Sequence, residues 1–118
     1  MSSNVVIYHN PRCSKSRAAV SLLQEKGVSF KEVLYLETPL TACEVAGLAR
    51  VLDKHPLEFM RTGEKLFKEL GLSRNDDRDE GQWFQIMADN PILIERPIVI
   101  KGGKARIGRP TEQILEVL

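Results

Sequence analysis

The first 35 residues restrict the fold of this chain more than any other stretch. A β-branched apolar run over residues 4–8 predicts a buried strand. A helical pattern follows over residues 14–25 and stops before Gly27, and residues 30–35 predict a second strand. Two strands joined through one helix by short connections form a β-α-β unit, in which the strands are parallel and the crossover is right-handed. The pattern therefore predicts an α/β protein.

The turn between the first strand and the helix carries residues that favour sulfur chemistry. Cys13 falls in the first turn of the predicted helix, where unpaired N–H groups and the helix dipole stabilise an anion. Arg12, Lys15 and Arg17 add positive charge nearby. We therefore expect a lowered pKa for Cys13 and a place for an oxyanion beside it. The alternative, non-functional interpretation of the same stretch is a cysteine at the start of a helix with basic neighbours that are simply solvated.

Ser16 occupies the position at which a Cys-x-x-Cys motif would carry its second thiol. A working Cys13 would therefore be a lone nucleophile that receives its second sulfur from outside. The other cysteine, Cys43, falls on a predicted helix and is interpreted as a buried or half-buried structural thiol and not as a redox partner. Two such cysteines do not form a disulfide framework, and they indicate a reducing, cytoplasmic compartment.

Length and composition limit the alternatives. A chain of 118 residues is long enough for one domain with a core, and its formal net charge of +1 points neither to nucleic acid nor to a membrane surface. No apolar run approaches the ~20 residues of a membrane span. The first residues show no basic start, apolar stretch or cleavage site, so we expect no export signal.

The remainder of the chain predicts a helical segment and then a hairpin. A capping box at Thr41 and Glu44 opens the helical segment, which covers about residues 41–90. Further helices are predicted over residues 57–60, 64–70 and 82–89. Strands over 97–100 and 105–108 flank a Gly-Gly turn, and a last helix covers 111–118. We expect a four-stranded mixed sheet in one domain, 1–118, with residues 41–90 as an insertion.

This order of elements is similar to a thioredoxin-like fold, and four motifs resemble those of the glutaredoxin-coupled arsenate reductases, the ArsC family. The motifs are Tyr8-His9-Asn10-Pro11-x-Cys13-x-x-Ser16-Arg17, Leu34-Tyr35-Leu36-Glu37 followed by Pro39, Asn90-Pro91-Ile92-Leu93-Ile94-Glu95-Arg96-Pro97-Ile98-Val99, and Gly108-Arg109-Pro110-Thr111-Glu112. The likeness runs from about residue 5 to the C-terminus. Ser14-Lys15 replaces the Gly-Thr of the best-known members, and the resulting Cys-Ser-Lys-Ser resembles that of a recognisable subgroup of the family.

The resemblance implies a role for seven residues. By position they are the nucleophile Cys13, the oxyanion-binding Arg61, Arg96 and Arg109, the cis proline Pro97 that faces the cysteine, and His9 and Ser16, which tune or assist the thiolate. Two readings of His9 stay open, since it either tunes the thiolate or closes the turn through a hydrogen bond.

The resemblance also implies a reaction. Cys13 would form an adduct with arsenate, glutathione would attack it as co-substrate, and glutaredoxin would complete the release of arsenite. No metal and no bound organic cofactor is expected, and the protein is expected to be a monomer. One alternative is a related glutathione-dependent thiol reductase that uses Cys13 without the arginines. Another is a non-enzymatic regulator of the Spx type that binds RNA polymerase, although Ser16 replaces the second cysteine of its usual switch.

Overall fold

A computed structural model describes residues 5–118, so residue 4 of the first predicted strand lies outside the described residues. The predicted α/β architecture is confirmed. Its four strands are β1 (Val5–Tyr8), β2 (Phe30–Val33), β3 (Ile98–Lys101) and β4 (Lys104–Ile107). Its α-helices are α1 (Ser14–Glu25), α2 (Ala42–Leu52), α3 (Lys65–Glu69) and α4 (Glu80–Asp89). Short 3-10 helices cover Pro56–Glu58, Pro91–Leu93 and Thr111–Val117.

The described chain divides into two compact units. The first contains the described residues up to Thr38 together with Arg96–Leu118, and the second is Pro39–Glu95. The predicted helical insertion lies within the second unit. That the whole chain forms one domain stays a prediction.

The first unit contains a mixed sheet with the strand order β2-β1-β3-β4. β1 runs parallel to β2, as the β-α-β pattern predicts, and antiparallel to β3. β3 and β4 form the hairpin, whose turn at Gly102 and Gly103 uses positive φ angles of 54° and 83°. Because side chains alternate along a strand, β1 buries Val5 and Ile7 against one side.

An apolar cluster holds α1 and the C-terminal 3-10 helix on that sheet. Its buried members come from α1, β1, β3 and the C-terminal segment, and they are Val5, Ile7, Ala19, Leu23, Val99, Ile114 and Val117. Ala19 and Leu23 are four residues apart and so face the sheet from one side of α1. This packing fixes the start of α1, and hence Cys13, at the end of β1.

The second unit is helical, and its helix starts follow from local chemistry. The predicted capping box is present, since the Thr41 hydroxyl accepts the Glu44 N–H at 3.1 Å and Glu44 accepts the Thr41 N–H at 2.9 Å. α4 starts at Glu80, two residues earlier than predicted, because Asp79 caps it through the Gln82 N–H at 2.8 Å. The core of the second unit includes buried apolar side chains from α2 and α4, namely Val45, Leu48, Leu52, Trp83 and Met87.

Several elements differ from the sequence prediction in their bounds or their type; β3, β4 and α3, for example, each differ by one residue at either end. β2 ends at Val33, because the Leu34 carbonyl turns to accept the N–H groups of Glu37 and Thr38. The short helix predicted over 57–60 is a 3-10 helix over Pro56–Glu58, and Met60 instead forms an isolated antiparallel bridge with Ile94. The last helix is of the 3-10 type.

Candidate active site

Cys13 occupies the position immediately before the first turn of α1. Its backbone is extended, with φ −93° and ψ 126°, and its carbonyl already accepts the Arg17 N–H at 3.0 Å. Its own N–H donates to the Asn10 carbonyl at 2.9 Å, which closes the turn from β1. The sulfur therefore stands at the end of the helix where backbone N–H groups point outward.

The surroundings of Cys13 favour its thiolate form. Burial alone would raise its pKa, since a charge is less stable away from water. The backbone N–H groups of Ser16 and Lys15, a hydrogen bond from the Arg96 side chain and the positive charge of Arg96 outweigh that effect. The result is a pKa lowered to about 7, which confirms the predicted direction. The acting side-chain charge, however, is Arg96 and not the basic residues next to Cys13 in sequence.

Arg109 is the second arginine beside the sulfur. Its Nη2 lies 3.7 Å from the Cys13 Sγ, and its Nε donates to the backbone carbonyl of Arg96 at 2.8 Å. One guanidinium therefore reaches the sulfur while it is anchored to the residue that carries the other. Both arginines precede a proline in a cis peptide bond, Arg96–Pro97 and Arg109–Pro110.

Gly108 allows the two arginine segments to approach each other. Its N–H donates to the Pro97 carbonyl at 2.8 Å. A Cβ at position 108 would lie 2.8 Å from the Pro97 Cγ and 3.3 Å from the Ile114 Cγ2, which is closer than ordinary packing allows. The close approach of Gly108 to Pro97 thus keeps Arg96 and Arg109 near one another.

A Gly108→Ala substitution should therefore destabilise the protein by about 1–3 kcal/mol, the usual result of forcing extra volume into a packed site. The added methyl would collide with the Pro97 ring. Urea unfolding measures the loss. Gly63→Ala is the matched control, since a Cβ there meets nothing within 4 Å, and an equal loss in both variants would contradict this account.

Ser16 and Asn10 hold the turn that carries Cys13. Ser16 is fully buried, and its hydroxyl accepts the Asn10 N–H at 3.1 Å. The Asn10 side-chain oxygen accepts the Arg12 N–H at 3.0 Å, and Arg17 donates to the Pro11 carbonyl at 3.0 Å. Asparagine before proline is a turn signal in the sequence, and these bonds show how Asn10 holds the turn.

The structure pairs His9 with a residue that sequence analysis did not name. His9 is 3% exposed, and its Nε2 lies 2.9 Å from the Glu32 Oε1 on β2. Its backbone N–H donates to the Val33 carbonyl at 3.1 Å, which extends the β1–β2 pairing by one bond. These contacts tie the end of β1 to β2.

Arg61 lies in the second unit, where two carboxylates hold its guanidinium. Its Nε donates to the Glu64 Oε1 at 3.1 Å and its Nη1 donates to the Glu95 Oε1 at 3.2 Å. Its backbone N–H donates to the Leu93 carbonyl at 2.7 Å. Sequence analysis gave a role to Arg61 but to neither carboxylate.

The described part of the chain contains no cluster of side chains suited to binding a metal ion. Among residues 5–118, no group of three or more His, Cys, Asp and Glu side chains is arranged to hold a metal ion. In the same residues, no helix is both long and apolar enough to cross a bilayer.

The fold and the site together define a thioredoxin-like α/β protein with one activated cysteine beside two arginines. The ArsC family model matches residues 8–117, so the chain belongs to the ArsC family. It is 51% identical over 119 residues to the Escherichia coli K12 protein named "Uncharacterized protein YfgD", covering 100% of this chain and 99% of that one. It is 46% identical over 115 residues to an arsenate reductase of Neisseria meningitidis serogroup A, covering 97% of each chain. A solved structure of an arsenate reductase from Vibrio cholerae covers 100% of both chains with a TM-score of 0.95 and 44% identity.

Proposed function

We propose that this protein reduces arsenate to arsenite through Cys13, with glutathione and glutaredoxin as the sources of external thiols. The observation that carries the proposal is the Arg109 guanidinium 3.7 Å from a cysteine whose pKa is lowered to about 7. Membership of a family in which relatives are named arsenate reductases supports the choice of oxyanion. The proposal places the protein in the cytoplasm as a monomer.

The arginines answer the main electrostatic difficulty of the reaction. A thiolate and arsenate are both anions, so the sulfur can approach arsenic only where fixed positive charge offsets their repulsion. Arginine suits this task because its planar guanidinium donates in pairs to oxyanions and keeps its charge. Arg96 and Arg109 would bind the arsenate oxygens while Arg96 keeps the sulfur ionised. The family resemblance adds Arg61 as a third cation for the same anion.

The proposed steps balance in atoms and electrons. The Cys13 thiolate forms a sulfur–arsenic bond as one arsenate oxygen leaves as water. Glutathione and glutaredoxin then supply one thiol each. Arsenic gains two electrons, the two external thiols end joined as a disulfide, and arsenite leaves with Cys13 restored. A lone cysteine suffices for this scheme, because both electrons come from outside the chain.

Arsenate-dependent oxidation of NADPH tests the proposal directly. The wild-type protein is assayed with glutathione, glutaredoxin and glutathione reductase, and each component is omitted in turn. We expect turnover only in the complete mixture and none with Cys13→Ser, because serine offers no thiolate. Turnover that persists in Cys13→Ser, or that needs neither thiol component, would refute the proposed reaction.

A further inference from the structure

A cavity of about 310 Å³ lies beside the turn that carries Cys13. It is lined by His9, Pro11, Arg17, Val20, Ser21 and Glu32. All of these residues belong to the first unit, where α1 passes over β2, the strand at one edge of the sheet. The cavity and Cys13 are therefore parts of the same compact unit.

Strand register and helix spacing explain which side chains line the cavity. β1 pairs with β2 so that Ile7 lies beside Glu32, and α1 packs on the face of the sheet that buries Ile7. Glu32 therefore projects from the face that α1 covers, whereas Lys31 projects from the opposite face. Arg17 and Ser21 are four residues apart, so they lie on one side of α1 and line the cavity together.

The cavity contains one cationic and one anionic side chain with capacity for a ligand. The Arg17 Nη1 donates to the Pro11 carbonyl at 3.0 Å, and the Glu32 Oε1 lies 2.9 Å from the His9 Nε2. Within residues 5–118, no ion pair joins Arg17 to Glu32. A guanidinium has five N–H donors and a carboxylate about four acceptor sites, so each group can bind a further partner of opposite charge.

This pair of charges favours a ligand that carries both signs close together. A simple anion is attracted by Arg17 but repelled by Glu32, and a simple cation meets the reverse. The head group of an α-amino acid offers a carboxylate to the guanidinium and an ammonium to the carboxylate. Glutathione, the thiol of the proposed function, carries such a head group on its γ-glutamyl residue.

The cavity is close enough to Cys13 for one glutathione molecule to reach both. The Arg17 N–H donates to the Cys13 carbonyl, so the two residues are about one turn of α1 apart, roughly 5.4 Å along its axis. An extended residue spans roughly 3.3–3.6 Å, and the γ-linkage adds the length of the glutamate side chain. A head group in the cavity therefore leaves the glutathione thiol within reach of the start of α1.

We propose that this cavity binds the γ-glutamyl head group of glutathione, with Arg17 holding its carboxylate and Glu32 holding its ammonium. The inference rests on the proposed function, in which glutathione brings a thiol to Cys13. It makes Arg17 and Glu32 the residues that distinguish glutathione from other small thiols.

The reaction of Cys13 with disulfides tests the inference without arsenate. The Cys13 thiolate attacks one sulfur of oxidised glutathione, a Cys13–glutathione disulfide forms, and the other half leaves as a thiolate. Mass spectrometry gives the rate constants for oxidised glutathione and for the uncharged 2-hydroxyethyl disulfide, in a Cys43→Ser background that removes the other, exposed thiol. We expect the ratio of the two rate constants to fall about tenfold in Arg17→Gln and in Glu32→Gln, because each substitution removes one charge-assisted hydrogen bond. The ratio cancels any change in the reactivity of Cys13 itself.

Lys31→Gln is the matched control, since Lys31 is exposed on the other face of β2, and its ratio should equal that of wild type. A second measurement needs no substitution in the cavity. Oxidised glutathione with acetylated amino groups should react about tenfold more slowly with Cys13, because an amide offers no charge to Glu32. Equal rates for the acetylated and unmodified reagents, or an unchanged ratio in Arg17→Gln and Glu32→Gln, would overturn the inference. A preference for oxidised glutathione in protein that does not turn over arsenate would count against the proposed function alone.

Discussion

An Arg96→Ala variant should lose about 10²–10³-fold of its kcat for arsenate, the usual effect of removing one preorganised donor from a site of developing charge. Arg96 acts on the sulfur both through a hydrogen bond and through its charge. The same substitution should raise the pKa of Cys13 above about 7, so that less thiolate is present at neutral pH. The coupled NADPH assay measures the first effect, and alkylation of Cys13 as a function of pH measures the second.

The substitution leaves the anchor of Arg109 in place, because Arg109 bonds to the backbone carbonyl of residue 96. The loss of kcat in Arg96→Ala therefore measures the contribution of the Arg96 side chain alone. Arg106→Ala is the control, since Arg106 on β4 pairs with Glu116 of the C-terminal 3-10 helix at 2.9 Å. The kcat of Arg96→Lys should lie between those of wild type and Arg96→Ala, because lysine restores the positive charge without the planar pair of donors. Near-normal turnover in Arg96→Ala would show that the guanidinium does not serve the reaction.

Alkylation of Cys13 by iodoacetamide should reach half of its maximal rate at a pH of about 7, because the thiolate is the reacting form. The rate should fall as the pH drops below that value. The predicted burial of Cys43 is wrong, since α2 leaves its side chain exposed. A Cys43→Ser background is therefore required, because an exposed Cys43 would also react. A midpoint near 9.0, the ordinary value, would mean that the helix start and Arg96 do not act on the sulfur.

The same shift makes stability depend on pH with a defined sign. The pKa of Cys13 is lower in the folded protein than in the unfolded chain, so the thiolate stabilises the folded state. This contribution is complete above pH 9.0, declines as the pH falls towards about 7, and is absent below that. The difference in unfolding free energy between wild type and Cys13→Ser should therefore widen as the pH rises through this window. A difference that narrows would contradict the shift.

Local chemistry was sufficient to predict much of the fold. α1 spans the predicted residues 14–25, because a helical apolar pattern and a closing glycine lie next to each other in sequence. The capping box at Thr41 and the Gly-Gly hairpin also depend only on neighbouring residues. Where predictions erred, as at the end of β2, the outcome depended on a turn that competes with continued strand pairing.

The site depends on contacts that no local pattern contains. Arg109 contacts Cys13 although the two residues are 96 positions apart in sequence, and His9 contacts Glu32 on another strand. The sequence around Cys13 predicted the direction of its pKa shift, since a helix start favours an anion. The same local sequence attributed the stabilising positive charge to the basic neighbours of Cys13. The charge comes instead from Arg96, which the sheet brings close to Cys13 although the two residues are far apart in sequence. The family resemblance identified Arg96 and Arg109, but only the folded structure gives their distances from the Cys13 sulfur.

The bond from the Arg109 side chain to the main chain of Arg96 limits how this protein could be re-engineered. A designer who wished to admit a bulkier substrate would not widen the gap between the two segments by exchanging the residue at position 96, since every amino acid presents the same backbone carbonyl to Arg109. The gap would open only if the peptide at Pro97 or the segment from Gly108 onward were moved. Libraries that vary side chains alone should therefore alter affinity more readily than substrate size.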